Sequence, residues 1–306
     1  MILVTQGHPR GIGLEVFIKS FLCLSPQKQA YIQLHCSQEV LKSHLELMGL
    51  KHQTFDQYTI IGSSKLNCCW VDDQQSVLGS LDSCLKRINN QSVLLTLPSD
   101  KASLSTKNEK YTGYTDYLRK FYHKNLAMNF INQKQRLTLL TEHIPLSHVE
   151  NINTDDVYKK IELTIDSYQK IDCLPKIRRV IITGINPHAG EDGLISNTDD
   201  KIKQAISLLK KKFSLEFLGP VPGDTIGLMT TSLEDLIISP FHDQGLTFFK
   251  TRYHLNGVNL TLGLDFLRIS PDHGTAFDIS SKNIANYKGV MECLKFALCY
   301  LRNEKY

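Results

Sequence analysis

Three histidines, His143, His188 and His242, each lie just past a run of residues that predicts a β-strand. A proline or a glycine that shapes a loop lies near each of them. Neutral imidazole is a common ligand of zinc and other transition metals, and three protein ligands with an open position form a catalytic metal site. No HExxH-type spacing surrounds them, which leaves a second interpretation, loop histidines that hydrogen-bond to the backbone. The histidines therefore predict either a metal site assembled from distant segments or three structural side chains.

Carboxylates follow predicted strands in the same way, at Asp224, Asp243 and Asp272. Such groups could orient the histidines, assist with a metal or take a proton. Each could also be an ordinary turn or helix-cap residue, above all Asp224 in its PGDT turn. The residue types alone leave these roles open.

Three further polar groups, Lys250, Asn259 and Arg268, lie within residues 236–279, the segment densest in functional side chains. Lys250 and Arg268 could be surface charges. Together with Asn259 on a predicted strand, they resemble a polar clamp for a phosphate or a carboxylate. The set predicts a small anionic ligand.

Alternating strands and helices must position these side chains, and the alternation predicts an α/β fold with a mixed, largely parallel sheet. Polar loops at the carboxyl ends of its strands would then carry the chemistry. Residues 242–245 are interpreted as the start of a glycine loop, and residues 196–200 as helix caps. The predicted strands are residues 2–5, 29–36, 58–62, 92–97, 136–140, 179–183, 215–218, 236–240 and 258–264. Four helices are predicted over residues 37–48, 155–170, about 200–213 and 287–301. Two more are predicted by their start alone, one at residue 14 and one within residues 111–124.

The composition is that of an ordinary globular protein, with 306 residues, 42% of them hydrophobic and 22% charged. A net charge of +4 is weak, and the basic run at residues 210–212 suits the end of a helix, so no nucleic acid partner is expected. Eight scattered cysteines without CxxC spacing indicate reduced thiols in a cytoplasmic protein. Neither a signal peptide nor the run of about 20 apolar residues that a membrane helix needs is present, so no membrane association is expected.

Long motifs in a fixed order resemble the 4-hydroxythreonine-4-phosphate dehydrogenase family, the NAD-dependent enzymes of pyridoxine (vitamin B6) biosynthesis. The similarity covers most of residues 94–290 and is thin in residues 16–93. The glycine loop GHPRGIGLE (7–15) and the segment LPSDKASLSTKNEKYTGYTD (97–116) match more loosely. The matching motifs are EHIPL (142–146), GINPHAGEDG (184–193), GPVPGDT (219–225), FHDQGLTFFK (241–250) and GVNLTLGLDFLRISPDHGTAFDI (257–279).

The resemblance implies a fold like that of isocitrate and isopropylmalate dehydrogenases, with two α/β domains and a cleft between them. One domain would comprise residues 1–118 and 277–306, and the other residues 119–276. The resemblance also implies a homodimer whose active site takes residues from both subunits, and a small phosphorylated substrate.

The resemblance further implies roles for residues at matching positions. A divalent metal (zinc, magnesium or cobalt) would bind at the three histidines, with two acidic groups nearby, and NAD would bind at the HGSA-like segment. Lys101, Asp243 and a metal-bound hydroxide remain alternatives for the general base. The implied metal ligands are His143, His188 and His242, the acidic groups Asp224 and Asp243, the substrate-binding residues Tyr114, Thr115, Lys250, Asn259 and Arg268, and the cofactor-binding residues His273, Gly274 and Thr275.

Three positions depart from the family pattern. Tyr114 replaces a substrate-contacting histidine, His8 replaces an acidic residue, and Asp100 stands where histidine or asparagine is usual. A phenol is neutral at pH 7, and an aspartate that points inward would disfavour a phosphate. These changes bear on the substrate more than on the reaction.

Three functions therefore compete. The first is oxidation of 4-phosphooxy-L-threonine to 2-amino-3-oxo-4-phosphooxybutanoate, which decarboxylates to 3-amino-2-oxopropyl phosphate. The second is the same chemistry on another phosphorylated hydroxy acid, such as a threonate or erythronate phosphate. The third is a non-catalytic binding protein on the same fold, against which the complete histidine set argues.

Overall fold

The computed structural model describes residues 1–72, 77–105, 109–254 and 256–306. Its strands and helices alternate through most of the chain, as an α/β fold requires. The strands are β1 (Ile2–Thr5), β2 (Ile32–Cys36), β3 (His52–Thr54), β4 (Tyr58–Ile61), β5 (Ser64–Trp70), β6 (Val93–Leu95), β7 (Ala127–Ile131), β8 (Arg136–Leu139), β9 (Arg179–Thr183), β10 (Glu216–Val221), β11 (Asp235–Ser239), β12 (Val258–Leu262) and β13 (Leu267–Pro271). The helices are α1 (Gly13–Leu22), α2 (Pro26–Gln29), α3 (Gln38–Leu47), α4 (Val77–Leu85), α5 (Lys101–Leu104), α6 (Tyr114–Tyr122), α7 (Thr154–Tyr168), α8 (Asp200–Lys212), α9 (His242–Tyr253) and α10 (Lys288–Arg302).

The first compact unit comprises residues 1–123, 264–304 and Tyr306, so both ends of the chain build it. Strand β1 pairs in parallel with β2 and with β6, and β13 pairs in parallel with β6. Every residue of β1 is buried, as expected for a parallel strand that is covered on both faces. Strand β5 pairs in parallel with β2, and β3 and β4 add an antiparallel edge. Because β1, β6 and β13 run in one direction, the loops that follow them lie at one edge of this unit.

The second unit comprises residues 124–263 and Lys305. Strand β11 lies between β8 and β9, and β10 pairs with β9, so that these four strands are parallel. Strands β7 and β12 continue the sheet beyond β8 in antiparallel pairs. The loops after β8, β9, β10 and β11 therefore leave from one edge, and they are the loops that carry the three predicted histidines and Asp224.

The division of the chain differs from the predicted one. It falls at residues 123/124 and 263/264, where the sequence predicted 118/119 and 276/277. Strand β13 belongs to the first unit because Leu267 pairs with Val93 and Arg268 with Leu94 of β6. Arg268 is therefore part of the first unit and not of the second.

All eight cysteines are free thiols in the structure. Five of them are buried, and burial raises the pKa of the Cys68 thiol to about 12. Such a thiol is protonated at neutral pH and is a poor nucleophile. Within the described ranges, no helix combines the length and the apolar character that crossing a bilayer requires.

Candidate active site

The residues His242 and Asp243 open helix α9, directly after strand β11. The interpretation of residues 242–245 as a glycine loop was wrong. Gly245 lies inside the helix and faces the sheet, where an added Cβ would come within 2.9 Å of the Ser239 Cβ and 3.0 Å of the Leu139 Cδ2. The glycine thus lets the helix pack closely on β8 and β11, and the first turn of α9 carries the polar side chains.

His242 and His143 lie together, with 5.5 Å between their ring centroids. The Nδ1 of His242 is 2.7 Å from the Asp243 Oδ1. A carboxylate in contact with Nδ1 holds the ring proton there and leaves the lone pair on Nε2. This is the orientation in which a histidine ligates a metal through Nε2.

His188 lies on a backbone turn of the left-handed type. Five consecutive residues, from His188 to Asp192, have φ between +46° and +83°. The left-handed conformation costs roughly 1–2 kcal/mol for each non-glycine residue. Gly190 cannot be replaced cheaply, because a Cβ there would lie 2.4 Å from the Ser196 carbonyl oxygen. Strained backbone of this kind persists only where its surroundings enforce it.

The buried carboxylate of Asp199 enforces that loop. Its Oδ1 accepts a hydrogen bond from the Ile185 backbone N–H at 2.7 Å, and its Oδ2 accepts from the Asn186 backbone N–H at 3.3 Å and from the Asn186 Nδ2 at 2.9 Å. The side chain is 1% exposed. The sequence predicted a helix cap here, and Asp199 does precede α8, but its side chain makes no cap bond and binds the preceding loop instead.

Asp199→Ala is therefore expected to lower the free energy of unfolding by about 3 kcal/mol, because buried N–H groups lose a charged acceptor. Urea denaturation measures the change. Asp200→Ala is the matched control, since Asp200 is the neighbouring aspartate and its half-exposed side chain forms an ion pair with Lys203. The control should change stability by less than about 1 kcal/mol. Equal losses in both variants would contradict the role of Asp199.

The donor types at this edge fit a divalent metal ion, because imidazole nitrogens and carboxylate oxygens are the ligands that zinc accepts. The residues that come together are His143, His242 and Asp243, whereas His188 and Asp224 lie on the separate loops that follow β9 and β10. Across the described ranges, no three His, Cys, Asp or Glu side chains group closely enough to hold a metal by themselves. The three-histidine site stays a prediction.

Two predicted substrate residues also belong to the second unit. Lys250 is exposed on α9, and Asn259 lies on β12 opposite Phe130 of β7. The Oδ1 of Asn259 is buried and has no hydrogen-bond partner among the described residues. An orphaned buried amide oxygen is costly, and this one fits a ligand group that donates a hydrogen bond.

Arg268 is held in the interior of the first unit, 3% exposed. Its Nη2 donates to the Thr96 Oγ1 at 2.6 Å, and its Cζ lies 5.5 Å from the centroid of the Tyr114 ring. Burial lowers the pKa of Arg268 to about 10, and Tyr114 opposes that shift. The guanidinium therefore stays charged at neutral pH, at a cost in desolvation that an anionic ligand would offset.

Tyr114 and Thr115 are the first two residues of helix α6, and both are buried. Burial raises the pKa of Tyr114, while Ser99, Thr5 and Arg268 act in the opposite direction. Its hydroxyl makes no hydrogen bond of ordinary geometry within the described residues. The phenol is thus a neutral, buried group beside the Arg268 cation.

Lys101 begins helix α5, and the preceding Asp100 caps that helix by accepting from the Ser103 backbone N–H at 2.9 Å. The Oδ2 of Asp100 lies 4.0 Å from the His8 Nε2. Partial burial alone would raise the pKa of Asp100, but the Ser103 hydrogen bond and His8 hold it below its ordinary value. Two departures from the family pattern, His8 and Asp100, thus contact each other, and the carboxylate is engaged at a helix cap.

The predicted cofactor segment lies against the N-terminal glycine loop of the first unit. The Ile12 backbone N–H donates to the Thr275 carbonyl at 3.0 Å, and a Cβ added to Gly11 would lie 3.2 Å from that oxygen. The His273 Nδ1 is 3.1 Å from the carbonyl of Gly274. The structure brings together two segments that the sequence separates by more than 250 residues, and their roles stay predictions.

Comparison with known proteins extends the similarity to nearly the whole chain. The family model described as "Pyridoxal phosphate biosynthetic protein PdxA" matches residues 28–297. A 4-hydroxythreonine-4-phosphate dehydrogenase of Hydrogenobaculum sp. (strain Y04AAS1) is 31% identical over 300 residues, 92% of this chain and 93% of the relative. The crystal structure of a 4-hydroxythreonine-4-phosphate dehydrogenase from Burkholderia phymatum matches with a TM-score of 0.74 at 26% identity, over 97% of this chain and 96% of that one.

The predicted fold is confirmed by a more distant structure. Isocitrate dehydrogenase from Methylococcus capsulatus matches with a TM-score of 0.52 at 14% identity, and the match covers 96% of this chain and 83% of that one. At this identity the likeness concerns the fold alone.

Proposed function

This chain belongs to the PdxA family of pyridoxal phosphate biosynthetic proteins, and from that premise we propose that it oxidises 4-phosphooxy-L-threonine. It is an oxidoreductase acting on a CH–OH group, with NAD as hydride acceptor and a divalent metal ion as cofactor. The observation that carries the proposal is the family match over residues 28–297. The adjacent imidazoles of His143 and His242 support it, since their ring centroids are 5.5 Å apart and Asp243 contacts the Nδ1 of His242.

In the proposed reaction, the substrate hydroxyl loses its proton to a base of the protein and the carbon loses a hydride to NAD. The product, 2-amino-3-oxo-4-phosphooxybutanoate, is a β-keto acid, which releases carbon dioxide and takes up a proton to give 3-amino-2-oxopropyl phosphate. His143, His188 and His242 would hold the metal, with Asp224 and Asp243 beside them. A bound divalent metal would supply Lewis-acid polarisation of the hydroxyl.

The residues of the chain supply binding and proton transfer. Arg268 and Lys250 would bind the phosphate and carboxylate ends of the substrate, because cations bind oxyanions through short charge-assisted hydrogen bonds. The Asn259 Oδ1 would accept a hydrogen bond from a donor group of the substrate. Lys101 and Asp243 are the candidate bases. The segment of His273, Gly274 and Thr275 would bind the nicotinamide cofactor next to the glycine loop.

A direct assay tests this function. Purified protein is treated with a chelator and then mixed with 4-phosphooxy-L-threonine and NAD, with and without added zinc, magnesium or cobalt, while NADH absorbance is followed. Turnover that depends on added metal is the expected result. A folded sample that binds metal and yet produces no NADH would refute this substrate.

A second substrate class, the threonate and erythronate phosphates, is favoured by the Tyr114 phenol beside Arg268. Its high pKa keeps it neutral, so it cannot supply the positive charge that a protonated imidazole would bring to this position. Threonate and erythronate phosphates carry a hydroxyl in place of the amino group of 4-phosphooxy-L-threonine. They would therefore require a different hydrogen-bonding group at residue 114.

Tyr114→His is expected to shift the ratio of kcat/KM values about tenfold toward 4-phosphooxy-L-threonine and away from erythronate 4-phosphate, if Tyr114 selects the substrate. Parallel assays on both compounds give the ratio. Tyr122→His, on the same helix, is the control and should leave the ratio unchanged. A shift in the opposite direction would mean that the pocket of this enzyme has adapted to 4-phosphooxy-L-threonine with a tyrosine in place.

We also propose that the protein is a cytoplasmic homodimer whose partner subunit covers the loops that follow β8, β9 and β10. Large apolar side chains are exposed there, with Leu194 82% and Leu228 88% exposed. A monomer seldom exposes a contiguous apolar surface, and eight free thiols suit a reducing compartment. The exposed apolar residues on these loops are Ile144, Leu146, Leu194, Ile195 and Leu228.

Sedimentation equilibrium tests the dimer. Leu228→Asp should weaken self-association by at least about tenfold, because a desolvated carboxylate in an apolar interface is costly. Leu208→Asp is the control, since Leu208 is exposed on α8 and is not part of these loops. A monomeric parent protein, or equal effects of both changes, would refute this interface.

A further inference from the structure

The side chain of Gln244 forms three hydrogen bonds, to the ends of two strands and to the loop after β9. Its Oε1 accepts from the Thr183 Oγ1 at 2.6 Å and from the Ser239 Oγ at 2.7 Å. Its Nε2 donates to the Gly184 carbonyl oxygen at 2.9 Å. Thr183 ends β9 and Ser239 ends β11, so that one amide joins the carboxyl ends of neighbouring parallel strands.

The same amide also touches a second loop. A Cβ added to Gly223 would lie 2.5 Å from the Gln244 Nε2 and 3.0 Å from its Cδ. Gly223 precedes Asp224 in the loop after β10. No positive φ requires glycine at residue 223, so the space taken by the Gln244 amide explains the glycine there.

Each of these contacts leads to a predicted site residue. Gly184 begins the loop that carries His188, Gly223 borders Asp224, and Gln244 itself lies in the first turn of α9, two residues after His242. A polar network whose hydrogen bonds are satisfied in a partly buried setting rigidifies the groups that it joins. The sequence analysis included Gln244 only in the predicted glycine loop of residues 242–245 and gave it no role.

We propose that Gln244 is a positioning residue that holds the His188 loop, the Asp224 loop and the first turn of α9 in one arrangement. The significance for catalysis rests on the proposed function, because His188 and His242 matter only if they bind the metal. The mechanical part of the proposal does not depend on metal and is tested separately.

Hydrogen–deuterium exchange on the full-length protein without added metal tests the mechanical part. Gln244→Met removes all three hydrogen bonds at similar volume, and peptides covering residues 184–193 and 219–225 should then exchange at least about tenfold faster. The matched control is Gln135→Met. Gln135 is a fully buried glutamine of the same unit that donates to the Thr231 Oγ1, at the opposite end of β8. It should leave both peptides unchanged.

A second pair of variants tests the contact between the Gln244 amide and Gly223. Gly223→Ala inserts a methyl group where the Gln244 amide lies. Exchange in residues 184–193 should therefore rise, although residue 223 belongs to a different loop. Gly227→Ala is the control, because an added Cβ there meets no atom within 4 Å.

Cobalt titration tests the link to the site. Gln244→Met should weaken cobalt binding by about 10- to 100-fold and change the visible absorption of the bound ion, because a residue that orients the metal ligands is lost. Gln135→Met should change neither the affinity nor the absorption. A parent protein that binds no cobalt would refute the metal assignment of the proposed function, and the exchange data would still decide the role of Gln244. Unchanged exchange in residues 184–193 in both Gln244→Met and Gly223→Ala would overturn the inference.

Discussion

His188→Ala is expected to lower kcat for 4-phosphooxy-L-threonine by about a thousandfold or more. Lewis-acid polarisation of the hydroxyl is worth several kcal/mol, and each 1.4 kcal/mol or so corresponds to a factor of ten in rate. His188 is exposed on its left-handed turn, so the substitution should leave the fold intact. NADH formation measures the rate, and binding of added cobalt measures the metal site.

The matched control is His148→Ala, since His148 is another exposed histidine of the second unit. It should keep full activity and full cobalt binding. If His188→Ala retained the turnover of the parent protein, His188 would not belong to the ligand set, and the metal would have to be held by other groups.

Arg268→Lys should raise KM about 10- to 100-fold at pH 7, because lysine lacks the planar fork that binds an oxyanion with two hydrogen bonds. The effect should grow with pH. Burial disfavours the charged form and lowers the pKa of Arg268 to about 10, so the arginine stays cationic up to about pH 9. Lysine starts from a lower ordinary pKa, about 10.4, and the same burial would bring its loss of charge toward neutral pH.

Because Arg268 keeps its charge, it should cause little change in the KM of the parent protein between pH 7 and pH 9. The KM of Arg268→Lys should rise over that range. Arg252→Lys serves as the control, because Arg252 is exposed on α9 and donates to the Gly227 carbonyl oxygen. A lysine variant whose KM remained independent of pH would show that residue 268 does not bind the anion.

The bounds of strands were predicted most accurately from the sequence where the strands are short, apolar and buried on both faces. Strands β1 and β9 agree with the predicted residues 2–5 and 179–183. Strand β13 was not predicted, because the polar residues Arg268 and Ser270 interrupt its apolar run although both are buried. Its arginine is tolerated in the interior by the bond to Thr96 and the Tyr114 ring, which no local pattern discloses.

Helix α9 was missed for a related reason. Phe241 occupies its N-cap and makes no side-chain cap bond, so the usual start signal is absent. Gly245 suggested a loop, whereas its role is close packing on the sheet. The roles of Gln244 and Asp199 were missed because their partners are distant in the sequence. Gln244 bonds to Thr183, 61 positions away, and Asp199 bonds to residues that precede it by 13 and 14 positions.

The left-handed turn of residues 188–192 sets a limit on the engineering of thermostable variants. Glu191→Gly or Asp192→Gly would relieve a conformational cost of roughly 1 kcal/mol each, since both residues are exposed and have φ near +50°. Glycine would also widen the range of backbone conformations open to the adjacent His188. Selection for heat resistance at these two positions would therefore trade a gain in melting temperature against the precision with which His188 is presented, as expected where strain is stored at a working site.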